Sequence, residues 1–242
     1  MKNTIVITGT AGLIGKEILH YLKTKYYIIS VDMNNLESEL NEDILHIQKD
    51  ITSLATWQTV LKILNENKLN LYGLINCAAI TNATRAIDQD MGPAFLRTLE
   101  VNLLAPYLAI ETLQSLMINQ NFGRIINFGS LYSKVAPTPR LYIDSEVLQT
   151  PGYTVSKHGI HGLTKFYAAR LIKFGITVNT LSPGGVFDNQ DGNFLKKYEE
   201  QNPSGRMAKP TDFIPMIESL LIKENNYITG QNILIDGGWT TV

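Results

Sequence analysis

Short apolar runs that alternate with longer amphipathic stretches constrain the fold of this 242-residue chain more than any other feature. The runs lack alternating polar residues, and such runs are typical of parallel strands buried on both faces of a sheet. Stretches between them, such as Leu13 to Lys23 and Ser53 to Asn65, have the spacing of amphipathic helices. This alternation predicts an α/β fold with one doubly wound parallel sheet of about seven strands and helices on both faces. The predicted strands are 3–8, 27–31, 44–48, 71–76, 124–128, 176–181 and 232–235, and longer helices are predicted at 94–119 and 153–174.

A glycine-rich turn follows the first predicted strand and opens the first predicted helix. Gly9, Gly12 and Gly15 let the backbone turn sharply and approach a pyrophosphate at the helix N-terminus. The order of strand, glycine turn and helix predicts a dinucleotide site and makes the sheet Rossmann-type. Asp32 ends the second strand, where a carboxylate can bind the ribose hydroxyls of NAD and repel the extra phosphate of NADP. NAD(H) is therefore the favoured cofactor, although Asp32 could also be an ordinary loop residue.

Polar or small residues also follow the next three predicted strands, at the ends where such sheets bind ligands. Asp50 could accept a hydrogen bond from an adenine amino group, or could merely begin the next helix. The small residues of Asn76-Cys77-Ala78-Ala79 would allow the adenosine ribose to approach closely. Ser130 directly follows the fifth strand.

Tyr153 and Lys157 are four residues apart in a predicted helix, so their side chains share one face. A fixed positive charge beside a phenol favours the phenolate and lowers its pKa from about 10. The pair is therefore interpreted as a general acid/base, although such a pair can also lie on an ordinary exposed helix face.

Together these features resemble the short-chain dehydrogenase/reductase family over essentially the whole chain. The resemblance also covers Asn102 and the segments 179–185, 205–207, 228–231 and 236–238. It implies that Tyr153 exchanges the proton with the substrate oxygen, while Lys157 lowers the tyrosine pKa and holds the nicotinamide ribose. Ser130 would hydrogen-bond the developing alkoxide, and Asn102 would anchor a water molecule in a proton relay. The implied cofactor residues are Gly9, Gly12, Leu13, Ile14, Gly15, Asp32, Asp50, Ile51, Asn76, Ala78, Ala79, Tyr153, Lys157, Pro183, Gly184 and Val186.

Two features depart from the usual pattern of the family. The spacing of the three glycines is that of the longer nucleotide-sugar epimerase and dehydratase branch, but this chain lacks the extra C-terminal substrate domain of that branch. Residues 131–152 form an unusually long segment between Ser130 and Tyr153, which we interpret as part of the substrate pocket or as a solvated loop. The candidate substrate contacts there are Tyr132, Arg140, Tyr142 and Asp144.

A second substrate-side loop, 186–209, is rich in polar residues and has few large apolar groups. A steroid or long acyl chain would need more apolar wall, so a hydroxyl-rich substrate such as a sugar or nucleotide sugar is favoured. The resemblance extends to a subgroup encoded among bacterial sugar-modification and flagellin-glycan genes. The alternatives are a 3-oxoacyl-(acyl carrier protein) reductase, a nucleotide-sugar epimerase or dehydratase, and a non-catalytic NAD-sensing protein.

Composition limits the partners that we expect. The formal net charge of −1 provides no field that would attract nucleic acid or an anionic membrane. A single cysteine, Cys77, excludes an intramolecular disulfide and a multi-cysteine metal site, and we expect no bound metal. The chain has no run of about 18 apolar residues and no apolar N-terminal leader, which favours a cytoplasmic protein of one domain, 1–242. The two longer helices could pack against a symmetry mate, giving a homodimer or homotetramer.

Overall fold

The computed structural model describes residues 2–36, 41–81, 91–143 and 150–242 of the chain. Its seven strands form one parallel sheet, which confirms the predicted fold class. The order in the sheet is β3-β2-β1-β4-β5-β6-β7. The strands are β1 (Thr4–Thr8), β2 (Tyr27–Asp32), β3 (Ile44–Gln48), β4 (Leu71–Asn76), β5 (Gly123–Phe128), β6 (Ile176–Pro183) and β7 (Asn232–Ile235).

Helices connect the strands and cover both faces of the sheet. They are α1 (Leu13–Leu22), α2 (Leu54–Glu66), α3 (Met91–Leu99), α4 (Ala105–Gln120), α5 (Pro139–Tyr142), α6 (Pro151–Leu171), α7 (Gly192–Gln201) and α8 (Ile214–Leu221). A π-helical segment, Glu100–Leu104, joins α3 to α4. Short 3₁₀ turns occupy Leu131–Ser133, Ile172–Phe174, Pro210–Phe213 and Trp239–Thr241.

The strands are rich in apolar residues because each side of the sheet has its own core layer. In β1, Val6 belongs to the layer beneath α2, α4 and α6, whereas Ile5 and Ile7 belong to the layer beneath α1 and α8. All three side chains are fully buried. Successive residues of a strand point to opposite faces, so a strand covered on both sides needs a continuous apolar run.

The winding of the chain reverses between β1 and β4, which are neighbours at the middle of the sheet. Thr8, the last residue of β1, lies level with Val31 of β2 and with Asn76 of β4. In a doubly wound sheet a ligand crevice opens outside the carboxyl ends of the strands at such a reversal. The residues that follow β1, β2, β4 and β5 therefore converge on one crevice.

One helical segment among the described residues, Gly92–Gln120, is long and apolar enough to cross a membrane when length and composition alone are considered. The segment is not an uninterrupted apolar run, because Arg97, Glu100 and Glu111 lie within it, so it does not contradict the expectation that the chain has no run of about 18 apolar residues. The segment comprises α3, the π-helical segment and α4, and its inner side carries buried Ala109, Leu113 and Met117 in the core. Core helices also satisfy these two criteria, so the segment is weak evidence for membrane insertion.

Candidate active site

A cavity of about 690 Å³ opens at the carboxyl edge of the sheet. This volume lies within the range of cofactor and small-molecule sites. The predicted site residues that border it are Gly9, Gly12, Leu13, Ile14, Gly15, Asp32, Asp50, Ile51, Ala78, Ala79, Ser130, Tyr132, Tyr142, Tyr153, Lys157, Pro183, Gly184 and Val186. Three predicted site residues, Asn76, Asn102 and Arg140, do not border it.

The glycine turn can adopt its path only with glycine at two of its positions. Gly9 has a φ of +75°, and a Cβ there would lie 2.6 Å from the Ala78 Cα. A Cβ on Gly15 would lie 2.0 Å from the Gly9 carbonyl oxygen. Helix α1 begins directly after the turn without a side-chain cap, so its first backbone N–H groups remain available to an anion. The turn has the shape and the donors that a pyrophosphate requires.

Two backbone N–H groups orient the side chain of Asp32, the last residue of β2. Its two carboxylate oxygens accept hydrogen bonds from the backbone N–H groups of Ala11 and Asn34, each at 2.9 Å. Its carboxylate therefore lies beside the glycine turn, and it borders the cavity. A carboxylate has about four acceptor positions, so two remain for ribose hydroxyls.

Asp50 follows β3 and borders the cavity. Its Oδ1 accepts hydrogen bonds from the backbone N–H and the hydroxyl of Thr52, at 2.9 and 2.8 Å. Its Oδ2 accepts one from Nη2 of Arg97 on α3, at 3.2 Å. Arg97 also borders the cavity and was missed in the sequence, because nothing local to α3 indicates a partner on a different element.

The loop after β4 borders the cavity directly beside the glycine turn. The Thr8 hydroxyl accepts hydrogen bonds from the backbone N–H groups of Cys77 and Ala78, which fastens this loop to the end of β1. Burial raises the pKa of the Cys77 thiol to about 12, so the thiol stays protonated. Asn76 does not border the cavity: its amide donates to the Asn127 side chain at 2.8 Å inside the sheet, and its contact with a cofactor stays a prediction.

Ser130, Tyr153 and Lys157 lie together at the end of β5. The Ser130 hydroxyl accepts from the backbone N–H of Tyr132, and it lies close enough to the Tyr153 phenol to act on the pKa of that group. Lys157 is one helical turn beyond Tyr153 on α6, and its ammonium lies 5.5 Å from the centre of the tyrosine ring. The lysine is nearly fully buried, and its Nζ donates to the Phe128 carbonyl oxygen at 2.8 Å.

The protonation of these groups differs from the sequence-based expectation. Burial raises the pKa of Tyr153, and the hydrogen bond with Ser130 opposes that rise only in part. Lys157 directs its Nζ at the Phe128 carbonyl oxygen, and the pKa of Tyr153 is raised rather than lowered as expected. Burial also lowers the pKa of Lys157 to about 8. At pH 7 the lysine is still mostly charged, by about ten to one.

Asn102 makes hydrogen bonds to two separate elements beside the proposed catalytic residues. Its amide accepts from the backbone N–H of Ile80 at 2.8 Å and donates to the Ile80 carbonyl at 2.9 Å. It also donates to the Ser156 hydroxyl, which in turn donates to the Tyr153 carbonyl. The Asn102 side chain therefore joins the loop after β4 to α6, beside the tyrosine and lysine.

Aromatic side chains surround the far end of the cavity. Tyr132 and Tyr142 are hydrogen-bonded to each other through their hydroxyls, and the Tyr142 ring lies 5.7 Å from that of Phe194. Tyr198, one turn further along α7, accepts from the backbone N–H of Gly185 at 2.7 Å. Phe194 and Tyr198 border the cavity but were missed, because the charged residues of α7 obscure their helical spacing. The segment 186–209, predicted to be a polar loop, thus contains a helix that supplies an aromatic wall.

The segment 131–152 is only partly described. Its first half reaches the cavity through Tyr132 and Tyr142, as predicted. Arg140, by contrast, is exposed on α5 and does not border the cavity, so its contact with a substrate stays a prediction. Asp144 lies outside the described residues. In the described part of the chain, no group of three or more His, Cys, Asp or Glu residues could hold a metal ion.

Known proteins resemble this chain in sequence and in structure. A family model described as enoyl-(acyl carrier protein) reductase matches residues 19–240. The post-translational flagellin modification protein A of Campylobacter coli is 28% identical, over 99% of each chain. The 3-oxoacyl-[acyl-carrier-protein] reductase FabG of Rickettsia prowazekii is 29% identical, over 99% of this chain and 97% of that one. A short chain dehydrogenase from Leptospira borgpetersenii, solved with bound NAD+, has a TM-score of 0.89 and 33% identity, covering 99% of this chain and 93% of that one.

Proposed function

The chain belongs to the short-chain dehydrogenase/reductase family of oxidoreductases, and on that premise we propose that it is an NAD(H)-dependent enzyme acting on the carbonyl or secondary alcohol of a sugar or nucleotide sugar. The observation that carries the proposal is that Ser130, Tyr153 and the buried Lys157, one helical turn beyond Tyr153, converge on one cavity. All three border the same cavity as the glycine turn. A proton donor and a dinucleotide site in one crevice suit transfer of a hydride and a proton.

The glycine turn, Asp32 and the loop after β4 fit a nicotinamide dinucleotide. A Cβ at Gly9 or Gly15 would collide with neighbouring backbone, so only glycine permits this tight turn, which borders the cavity at the uncapped N-terminus of α1. The Asp32 carboxylate, held beside that turn, favours ribose hydroxyls over a 2′-phosphate and so favours NAD over NADP. When bound, the nicotinamide ring supplies or accepts the hydride.

The proton is assigned to Tyr153. In reduction its hydroxyl donates to the substrate carbonyl oxygen, and in oxidation the phenolate removes the alcohol proton. The Ser130 hydroxyl donates to the same oxygen and stabilises the charge that develops there. The ammonium of Lys157 lies 5.5 Å from the tyrosine ring and favours the phenolate once the proton has left. Asn102 supports this arrangement through Ser156, and a relay water near Asn102 remains part of the proposal.

A hydroxyl-rich substrate is supported by the aromatic end of the cavity. The rings of Tyr142 and Phe194 lie beside each other at this end of the cavity, and aromatic rings suit the C–H surfaces of a sugar ring. The name of the Campylobacter relative also concerns flagellin modification. A cytoplasmic location belongs to the proposal, because a chain with one cysteine cannot form the intramolecular disulfides common in secreted proteins.

Reduction of a 3-oxoacyl thioester is the second candidate. It is favoured by the identity with the Rickettsia reductase, which is similar to that with the Campylobacter protein. The apolar part of the wall, formed by Leu131, Phe194 and Met207, could also contact a short acyl chain. The two candidates share the same catalytic residues, so only substrate tests distinguish them.

The first experiment follows NADH absorbance with keto-sugars, keto-nucleotide-sugars and 3-oxoacyl thioesters, using the wild type and Tyr153→Phe. A positioned general acid contributes about 10²- to 10⁴-fold, so we expect turnover of a sugar compound to fall by at least about 100-fold in the variant. NADH binding, followed by fluorescence, should survive. Tyr107→Phe, which changes a tyrosine outside the cavity, is the matched control and should retain full activity.

The possible results separate the candidates. Tyr153-dependent turnover of thioesters alone would move the protein to acyl metabolism. Full activity in Tyr153→Phe would overturn the catalytic assignment, and binding of NADH without turnover of any compound would favour the sensor alternative.

A further inference from the structure

Arg97 and Asp50 form an ion pair where α3 meets the loop after β3, and both border the proposed cofactor cavity. The guanidinium is held on a second side by Glu100, whose carboxylate accepts from Nη1 at 3.2 Å. Nη1 also donates to the Thr52 hydroxyl at 3.3 Å. The planar guanidinium therefore spans two elements and has a defined orientation.

The hydrogen bonds that described residues donate to the Asp50 carboxylate leave one of its acceptor positions unoccupied. Thr52 occupies Oδ1 with two donors, and Arg97 occupies Oδ2 with one. Since a carboxylate has about four acceptor positions, one position remains, on Oδ2. Burial raises the pKa of Asp50, but the bonds from Thr52 and Arg97 outweigh that effect and hold the pKa below its usual value. The remaining position can therefore accept a hydrogen bond and cannot donate one.

The pair contributes little to stability, because both side chains are more than one-third exposed and such pairs are screened by water. The ion pair has a larger effect on the position of the Asp50 carboxylate. Without the guanidinium, no side chain in the described part of the chain would hold Oδ2, and the carboxylate could turn toward solvent. With it, the charge of Asp50 is balanced and the open position stays at the cavity.

We propose that Arg97 is a positioning residue that makes the adenosine end of the cavity select a 6-amino purine over a 6-oxo purine. It does so by fixing Asp50 Oδ2 as the acceptor for the purine amino group. A 6-oxo group presents an acceptor to the same carboxylate and is rejected. The inference rests on the proposed binding of NAD(H), and it adds a residue on α3 that governs base selection.

The test measures binding by fluorescence and needs no substrate. The probes are NADH, reduced nicotinamide hypoxanthine dinucleotide, which has a 6-oxo purine, and reduced nicotinamide mononucleotide, which has no purine. A hydrogen bond to a charged acceptor corresponds to about 10- to 100-fold in affinity, so the wild type should prefer NADH over the hypoxanthine analogue by at least about 10-fold. In Arg97→Met that preference should fall to within about threefold, while affinity for the mononucleotide stays unchanged.

Three further variants make the result specific. Asp50→Asn should remove the preference, and Arg97→Met combined with Asp50→Asn should lose no more than Asp50→Asn alone, because both changes remove one interaction. Arg170→Met changes an exposed arginine on α6 that lies over the Phe166 ring, outside the cavity, and should behave as wild type.

The outcomes distinguish this inference from the proposed function. An unchanged preference in Arg97→Met, or an equal loss of mononucleotide affinity, would overturn the role of Arg97 while leaving NADH binding intact. Failure of the wild type to bind NADH would overturn the proposed function and this inference with it.

Discussion

At the scale of one residue, the proposed catalytic residue Lys157 lowers the stability of the folded protein. Its ammonium is nearly fully buried, and burial lowers its pKa from 10.5 to about 8. Between these values the unfolded chain binds the proton more readily than the folded one. The folded protein is therefore destabilised by the buried charge below about pH 8, and this penalty disappears as the pH rises toward 10.5.

We expect the free energy of unfolding of the wild type to rise by about 2 to 3 kcal/mol relative to Lys157→Met between pH 7.5 and 10, since the lowered pKa corresponds to about 3 kcal/mol in total. Urea unfolding of both proteins at the two pH values measures this difference. Groups that titrate in both proteins cancel in the comparison. Parallel pH dependence in the two proteins would show that the buried lysine does not titrate in this window.

Asp32 should determine which dinucleotide binds. Its carboxylate is fixed by the backbone N–H groups of Ala11 and Asn34, so its negative charge stays where a 2′-phosphate would lie. In Asp32→Asn we expect the ratio of NADH to NADPH affinity to fall by at least about 10-fold, which corresponds to about 1.4 kcal/mol. Fluorescence titration with both cofactors measures the ratio. Asp43→Asn, outside the cavity, is the control, and an unchanged ratio in Asp32→Asn would remove Asp32 from cofactor selection.

At the scale of elements, the sequence predicted best what depends on local pattern. The bounds of β3, β4 and β7 agree with the predicted ones, because each strand is an apolar run with polar residues at both ends. Ser130, Tyr153 and Lys157 border the cavity as predicted, since their positions follow from a strand end and one helical turn. Asn76, Asn102 and Arg140 do not, because the direction of each side chain depends on elements that local pattern does not reveal.

Asn102 links two elements that the sequence leaves separate. Replacing it with alanine removes both hydrogen bonds to Ile80 and leaves a backbone N–H and C=O without those partners. We expect Asn102→Ala to lower the free energy of unfolding by about 2 to 4 kcal/mol, and NADH to bind more weakly because Ile80 borders the cavity. Urea unfolding and NADH titration measure the two effects. Asn65→Ala, on the exposed face of α2, should stay within about 0.5 kcal/mol, and an equally small change in Asn102→Ala would contradict the linking role.

At the scale of the whole molecule, the order of the strands brings the proposed reactive groups together at one edge of the sheet. A separate apolar groove lies on the outside of the molecule. Outside the sheet, α3, the π-helical segment and α6 enclose this groove, which has a volume of about 480 Å³. It is lined by Leu96, Leu99, Glu100, Leu103, Leu104, Tyr107, Gly159 and Leu163. Exposed apolar surface of this kind marks sites of association.

A second copy of the chain is the expected partner of this groove, because a twofold contact covers the same apolar surface on both copies. We expect the wild type to sediment as a dimer or tetramer at micromolar concentrations. Leu104 is 41% exposed within the groove, and Leu104→Glu would place a carboxylate in the contact, so this variant should dissociate to a smaller species. Leu54→Glu, which changes an equally exposed leucine on α2 outside the groove, should leave the assembly intact. Analytical ultracentrifugation over a range of concentrations measures all three proteins. A monomeric wild type, or a Leu104→Glu variant that assembles like it, would show that this groove does not join copies of the chain.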